Sequence, residues 1–592
     1  MTPTQQKPST PLEKVVVRFA GDSGDGMQFT GSQFAFTSAL EGNDLATFPD
    51  FPAEIRAPKG TVGGVSGFQI QIGNVHIYTP GDAADVLIAM NPAALKSNLK
   101  FVKPGANLIL DIDAFDKRGA KKAGYEGDPL ESPELESYHI IKAPITSLTK
   151  KAVAESGLDT KSMMRCRNMF ALGLVYWLFE RPMEQTIKLL DLRFGKKAPA
   201  VAQANKDALQ AGYNYGITVE ALPSTYKVPP AKKEEGLYRH ISGNVATAWG
   251  LMAAREKIGK KLFYGSYPIT PASDVLHELS KYKHLDVVTL QAEDEIAAVC
   301  SAIGASYAGH LGITASSGPG IALKGEAIGL AMMAELPLII LDVQRGGPST
   351  GLPTKTEQSD LNIAIYGRNG ESPIIVLAAS TPSQCFEMAY RAVKLAVEHM
   401  TPVMLLTDGY LANGSEPWKI PNLDKLPPIE LPLAEVKEGE PFLPYLRDPE
   451  KLSRYMAVPG TPGLEHRIGG LEKEDLTGNV SYDPQNHEYM VKTRAEKIAR
   501  VANYIPELEV FGPQKGELVV VGWGGTYGVL RTAVNELLEE GHPVSLAHFN
   551  YLSPLPKNTA DVLDQFEHRL VCELNLGQMA QYLRSSFPQF EF

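Results

Sequence analysis

At 592 residues, with 44% hydrophobic and 21% charged residues, the chain is too long for one hydrophobic core and ordinary in make-up for globular protein, so two to four domains are expected. Its formal net charge of −11 argues against a non-specific hold on nucleic acid or anionic membrane, and no apolar run reaches the ~18–20 residues that span a bilayer. The opening MTPTQQKPSTPLEK lacks the apolar core of a signal peptide, so a cytoplasmic enzyme, or a subunit of one, is expected.

Residues 1–13 read as a loose polar tail. A buried strand over Val15–Phe19 leads into a glycine-rich turn, GDSGDG, that opens a helix within Gly21–Leu40. Strand-like runs follow at Gly67–Ile72, Asp85–Met90, Asn107–Asp113 and Tyr138–Ala143, with helical text over Cys166–Phe179 and Met183–Leu192. Strands alternating with helices predict a doubly wound sheet ending near Thr218, and Leu222–Gly236 reads as an exposed linker.

The next stretch predicts strands at Lys261–Tyr264, Leu285–Leu290, Gly312–Ala315, Leu336–Val343, Ile374–Ala378 and Pro402–Thr407, with helices such as Glu295–Tyr307 and Pro382–Glu398. Ala297, Ala298, Ser301, Ala302, Gly304 and Ala305 make one helix small-sided, suited to close approach to a sheet or a partner subunit. From Asn413 to about Pro484 the text is irregular, which marks a functional loop or a belt around a neighbour. Helical text resumes at Tyr489–Tyr504. A third unit then follows, with strands Glu517–Gly522, Pro543–Phe549 and Arg569–Leu574, the turn Gly522–Gly528 and the helix Val529–Glu540. The fold class is therefore α/β in three α/β domains, over 13–221, 238–418 and 489–592, with a linker at 222–237 and an irregular connecting segment at 419–488.

Four blocks of the middle domain follow apolar runs and end in turn or helix-start residues, the layout of loops at the carboxyl edge of a parallel sheet. In YPITP (Tyr267–Pro271) two prolines fix the backbone around Thr270. In QAEDEIAAV the three acids suit the start of a helix; Glu295, beside Ile296 and two alanines, is expected to be the buried one. Arg345 follows a buried strand and precedes Gly-Gly-Pro-Ser-Thr, a placement suited to gripping a carboxylate, with Ser349, Thr350, Thr354 and Lys355 completing an anion-binding loop. GDG (Gly24–Gly26) is not read as a magnesium–diphosphate loop, because PDFPAEIR (Pro49–Arg56) holds no asparagine at the spacing such loops need. Cys166, Cys300, Cys385 and Cys572 lack cluster spacing, and Cys166 and Cys300 sit in apolar helical text as small buried hydrophobes. The chain is expected to hold neither a metal nor a redox centre of its own.

These blocks, with TASSGPG (Thr314–Gly320), LTDGYLANGSEPW (Leu406–Trp418), GLEHR (Gly463–Arg467) and Ser481–Lys497, resemble the alpha subunits of the 2-oxoacid:ferredoxin oxidoreductases. The similarity is to the group in which a gamma-type domain precedes the alpha chain, and 2-oxoglutarate enzymes look closest. The resemblance implies a Rossmann-like gamma domain, a thiamine diphosphate pyrimidine-binding domain and a transketolase C-terminal-like domain. It also implies a beta subunit that holds the diphosphate, Mg2+ and a 4Fe–4S cluster, with ferredoxin as acceptor and coenzyme A as co-substrate. By the same resemblance, Glu295 hydrogen-bonds the aminopyrimidine and promotes loss of the thiazolium C2 proton, Thr270 lies beside the reacting carbonyl, and Arg345 orients the substrate carboxylate near Thr354 and Lys355. Tyr267, Pro268, Ile269, Ser317 and Gly318 line the cofactor, and Phe51–Gly64 is the candidate contact for coenzyme A. A distal substrate carboxylate calls for a second cation, Lys355 or Arg368 or one from the partner. The alternatives are the same chemistry on pyruvate or a branched-chain 2-oxoacid, a stand-alone thiamine enzyme of transketolase type, or a non-catalytic scaffold subunit of an oxidoreductase complex.

Overall fold

Alternating strand and helix text folds into α/β layers. The structure, a computed structural model, describes residues 9–52, 57–219, 224–436 and 439–592. It divides into two units: the chain up to His240 with Glu416–Lys419, and Ile241–Ser415 with Ile420–Phe592. Among the described residues no helix is long and apolar enough to cross a membrane.

The first unit is built on β1 (Lys14–Asp22), β2 (Asp44–Asp50), β3 (Val65–Gly73), β4 (Ala84–Ala89), β5 (Val102–Asp111) and β6 (His139–Ala143), in the order β2-β3-β1-β4-β5-β6. Strands β1, β4, β5 and β6 pair parallel, whereas β3 pairs antiparallel with both β2 and β1. The sequence reading missed β2, whose NDLATFPD text carries a proline and acids; an edge strand tolerates them, because one side of its backbone needs no partner. Helices α1 (Met27–Leu40), α2 (Arg167–Leu178) and α3 (Pro199–Val219) flank the sheet, and Phe19, Phe34, Tyr176 and Phe179 share its core. The 21-residue α3 was not read from the sequence either, since its alanine-rich text shows only a narrow apolar stripe.

Two expectations for this unit change in part, the loose tail over residues 1–13, where Ser9–Pro11 is a strand, and the exposed linker. Of the stretch read as an exposed linker, residues 222–223 lie outside the described residues; Thr225–Lys227 pairs with Ser9–Pro11, Val228 is buried, and Asn43 Nδ2 donates to the carbonyls of Val228 and Pro229 at 3.1 and 2.7 Å, while Pro230, Lys232 and residues 234–236 are exposed. The GDSGDG turn closes on its own acid, since the Asp25 carboxylate accepts from the Asp22 N–H at 3.2 Å, Arg167 Nη2 at 2.9 Å and Lys59 Nζ at 3.2 Å. Of the coenzyme A candidate Phe51–Gly64, residues 53–56 lie outside the described residues, and Lys59 shares Asp25 with Arg167.

In the second unit, strands β7 (Leu262–Ser266), β8 (Val287–Gln291), β9 (Leu311–Ser316), β10 (Leu338–Gln344), β11 (Ile375–Ala378) and β12 (Pro402–Asp408) form a parallel sheet ordered β8-β7-β9-β10-β12-β11. Helices α4 (Gly243–Ile258), α5 (Glu295–Tyr307), α6 (Gly318–Leu323), α7 (Gly325–Met333) and α8 (Gln384–His399) accompany it, and α9 (Pro484–Arg500) follows the irregular segment. The small-sided α5 lies directly on the sheet: a Cβ on Gly265 or Gly312 would come within 2.7 or 2.2 Å of carbonyls on its backbone. Its other face is open, so Cys300 is exposed rather than buried, while Cys166 and Cys385 are buried and none of the four cysteines forms a disulfide. The C-terminal part adds β13 (Val510–Phe511), β14 (Gly516–Trp523), α10 (Tyr527–Glu539), β15 (Val544–Phe549), β16 (Tyr551–Ser553) and β17 (Phe566–Val571). Four of these strands form a sheet ordered β13-β15-β14-β17, while β16 crosses to pair antiparallel with β11 of the larger sheet.

Candidate functional site

Parallel register brings the strand ends together. Ser266 pairs with Gln291 and Ala315, Ser316 with Asp342, and Gln344 with Asp408, so β7, β8, β9, β10 and β12 end along one edge. The Tyr267–Pro271 turn, the start of α5, the Ser317–Gly320 turn and the loop after β10 all leave from that edge.

At the start of α5, Asp294 is the N-cap and its side chain accepts from the Ala297 N–H at 2.7 Å. Glu293 and Asp294 face solvent, while Glu295, the first helical residue, is 9% exposed. Its carboxylate packs on the backbone of α6, where Gly320 leaves it room. A Cβ there would lie 2.9 Å from Glu295 Cγ, 3.0 Å from its Oε1 and 1.9 Å from Ser316 Oγ. The hydroxyls of Thr314, Ser316 and Ser317 are buried with no hydrogen-bond partner, so this corner offers polar groups to an occupant.

Arg345 is buried, and its guanidinium clamps two loops: Nη1 donates to the Thr270 carbonyl at 2.7 Å and Nη2 to the Thr350 carbonyl at 3.1 Å. It therefore organises the YPITP turn, whereas the sequence reading gave it only a substrate to hold. Two of its five N–H groups are used in this way. The loop closes on itself, Gly346 N–H donating to the Lys355 carbonyl at 2.9 Å and Leu352 N–H to the Gly346 carbonyl at 2.8 Å, which leaves Thr354 and Lys355 half-buried on the returning limb. Tyr267, Pro268 and Thr270 stand exposed at the rim, with Ile269 half-buried beside them. Arg368 is not available as a second cation, since its N–H groups donate to the carbonyls of Ala364, Ile365 and Ser372.

The sequence reading also missed three charged residues here. Asp342, in the apolar run LIILDVQ, is fully buried with neither carboxylate oxygen hydrogen-bonded. Burial, and after it Asp360, pushes its carboxyl well above the ordinary value. Asp360 itself rises to about 6, through burial and Glu357 against the pull of Arg345, and its Oδ1 lies 2.7 Å from where a Cβ on Gly318 would stand. Lys324, in IALKGEA, is likewise fully buried. An ionisable residue inside an apolar run was the signal for Asp342 and Lys324.

The profile described as pyruvate flavodoxin/ferredoxin oxidoreductase, thiamine diphosphate-binding, matches residues 257–482, and that of pyruvate ferredoxin/flavodoxin oxidoreductase matches 16–215. The 2-oxoglutarate oxidoreductase subunit KorA of Mycobacterium tuberculosis is 54% identical over 97% of this chain and 88% of its own length. The chain belongs to the 2-oxoacid:ferredoxin oxidoreductase family. The alpha subunit of 2-oxoacid:ferredoxin oxidoreductase 1 of Aeropyrum pernix, at 30% identity over 85% of this chain and 82% of its own, is a more distant member. Among solved structures, 2-oxoglutarate:ferredoxin oxidoreductase from Magnetococcus marinus, with 2-oxoglutarate, coenzyme A and succinyl-CoA bound, superposes with a TM-score of 0.84. It is 32% identical and covers 97% of this chain and 94% of its own. Every block at the sheet edge, from Tyr267 through Glu295 and Ser317 to Arg345 and Lys355, falls inside the thiamine diphosphate-binding match.

Proposed function

We propose that the chain is the alpha-type subunit of a 2-oxoglutarate:ferredoxin oxidoreductase. The complex converts 2-oxoglutarate and coenzyme A to succinyl-CoA and CO2 while reducing ferredoxin, or runs the reverse carboxylation. The choice of substrate is supported by the Mycobacterium tuberculosis relative, named for 2-oxoglutarate, and by the Magnetococcus marinus structure that binds it. The observation that carries the reading is Glu295, the one buried acid of three, set against the α6 backbone beside unpartnered serine hydroxyls.

Those groups fit the aminopyrimidine end of thiamine diphosphate: a ring with donor and acceptor nitrogens needs a desolvated carboxylate and nearby hydroxyls. Glu295 holds a proton at a ring nitrogen, Ser317 and Gly318 line the ring, and Tyr267, Pro268 and Ile269 form the rim. When bound, thiamine diphosphate supplies the electron sink for decarboxylation. Arg345 fixes Thr270 beside the reacting carbonyl, and its remaining N–H groups orient the substrate carboxylate together with Thr354 and Lys355. With Arg368 engaged, Lys355 or a residue of the partner meets the distal carboxylate. In this reading the domain at 13–221 is gamma-like, 238–418 binds the pyrimidine, and 489–592 is transketolase C-terminal-like. A beta-type partner in the cytoplasm holds the diphosphate, magnesium and the 4Fe–4S cluster. Glu295→Gln in the purified complex is expected to lower turnover by about 10²–10⁴-fold with the subunits still associated, and near-normal turnover would remove Glu295 from catalysis. Assay of 2-oxoglutarate against pyruvate and branched-chain 2-oxoacids fixes the substrate; a higher kcat/KM for another acid would replace 2-oxoglutarate in this assignment.

A further inference from the structure

The roles above leave a buried ammonium without a task. Lys324 closes α6, has no exposed surface, and donates from Nζ to the main-chain carbonyl of Glu295 at 3.2 Å. One helical turn earlier on the same helix stands Gly320, whose missing side chain leaves the space taken by the Glu295 carboxylate. Thus α6 meets Glu295 twice, with a gap for its carboxylate and a cation for its carbonyl. Burying an ammonium is costly, and one hydrogen bond to a neutral carbonyl compensates for it poorly. A methionine would fill the same volume without that cost, so the charge itself calls for a use.

The charged and titratable groups facing Lys324 are Glu295 and Asp294 at the start of α5 and Cys300 further along that helix. We propose that Lys324 is a positioning residue for Glu295: it pins the first turn of α5 and sets a positive charge beside that turn, keeping the carboxylate directed at the cofactor ring. This rests on the role given to Glu295 above. Burial lowers the Lys324 ammonium to about 8 against the pull of Glu295 and Asp294. Its charge is therefore present at neutral pH and lost as the pH rises through that value, taking the support for Glu295 with it.

The test compares wild type, Lys324→Met, Lys324→Arg and Glu295→Gln in the assembled complex. The readouts are the pH profile of kcat, titration of the cofactor-depleted complex with thiamine diphosphate, and Tm. Lys324→Met is expected to keep its Tm, because methionine suits a buried site, and to bind thiamine diphosphate about tenfold more weakly at neutral pH. The basic limb of its kcat profile near 8 should vanish, and Lys324→Arg should restore the wild-type affinity. A wild-type profile and wild-type affinity in Lys324→Met, alongside an inactive Glu295→Gln, would overturn the inference and leave the proposed function standing. Normal turnover by Glu295→Gln would overturn both.

Discussion

Glu295 can be buried at the head of α5 because Gly320, across from it, has no side chain. Alanine at 320 would place a methyl carbon 3.0 Å from the carboxylate oxygen and 1.9 Å from Ser316 Oγ. The serine can rotate away, but Glu295 must shift, because its main chain is held by the helix and by Lys324. A displacement of this kind at a reacting group costs about 10²-fold in rate. Gly320→Ala is therefore expected to lower kcat on that order while leaving the circular dichroism spectrum unchanged. Wild-type kcat in Gly320→Ala would mean that the carboxylate's position is not critical. Arg345 makes a related point: its place after a strand was legible in the sequence, whereas its two carbonyl partners came from loops 75 and 5 residues away, which no local pattern reports.

At the scale of elements, the irregular segment is tied to the second unit's core through Glu335, just beyond α7. Its carboxylate meets Arg447 Nη2 at 2.6 Å and Lys497 Nζ of α9 at 2.9 Å, while its carbonyl accepts from Arg454 Nε at 3.0 Å. Burial opposes ionisation of this carboxyl, but Lys497 and Arg447 outweigh it and hold it at about 2. The pair is unequal: Lys497 shares one anion with Arg447, and burial brings its ammonium down to about 8. Because the Glu335 value is depressed, its contribution to stability is full above the ordinary 4.5 and fades as pH falls toward about 2. Glu335→Gln leaves the buried Lys497 without its anion, while Arg447 keeps Asp475 at 2.8 Å, and is expected to cost about 3–5 kcal/mol at neutral pH, read as a fall in Tm or in the urea midpoint. An unchanged midpoint would mean that the network adds no net stability. The sequence marked this segment only as irregular, since ion pairs across more than a hundred residues leave no periodic trace. Elements with a local signature were legible: Glu295–Tyr307 has the predicted bounds, and the middle-domain strands lie within about three residues of expectation at either end. Edge strand β2 and the packing of 225–229 depended on partners elsewhere in the fold, as did the outward turn of Cys300.

On the scale of the molecule, the rim around Glu295 is unfinished in this chain. Strand β8 is an edge of its sheet, and Val288 and Leu290 on it are 45% and 40% exposed. Ile296, next to Glu295, is 50% exposed, and Leu323, next to Lys324, is 56% exposed. Scattered apolar side chains on a surface need no explanation, but here they accompany an open strand edge and the two residues flanking the proposed catalytic carboxylate and its cation. A beta-type subunit covering this rim would dry the site and bring the diphosphate and the redox centre to it. The chain purified alone, supplied with thiamine diphosphate and magnesium, is therefore expected to show no 2-oxoacid-dependent reduction of ferredoxin, with activity appearing on addition of the partner. Ile296→Asp should weaken that association about a hundredfold if the partner covers this rim, because a charge would replace an exposed apolar side chain there. Its turnover at saturating partner should stay measurable, since Ile296 is half exposed where Glu295 is buried. Full activity of the isolated chain, or wild-type association by Ile296→Asp together with wild-type turnover, would show that the site is complete within one polypeptide or is completed from another side.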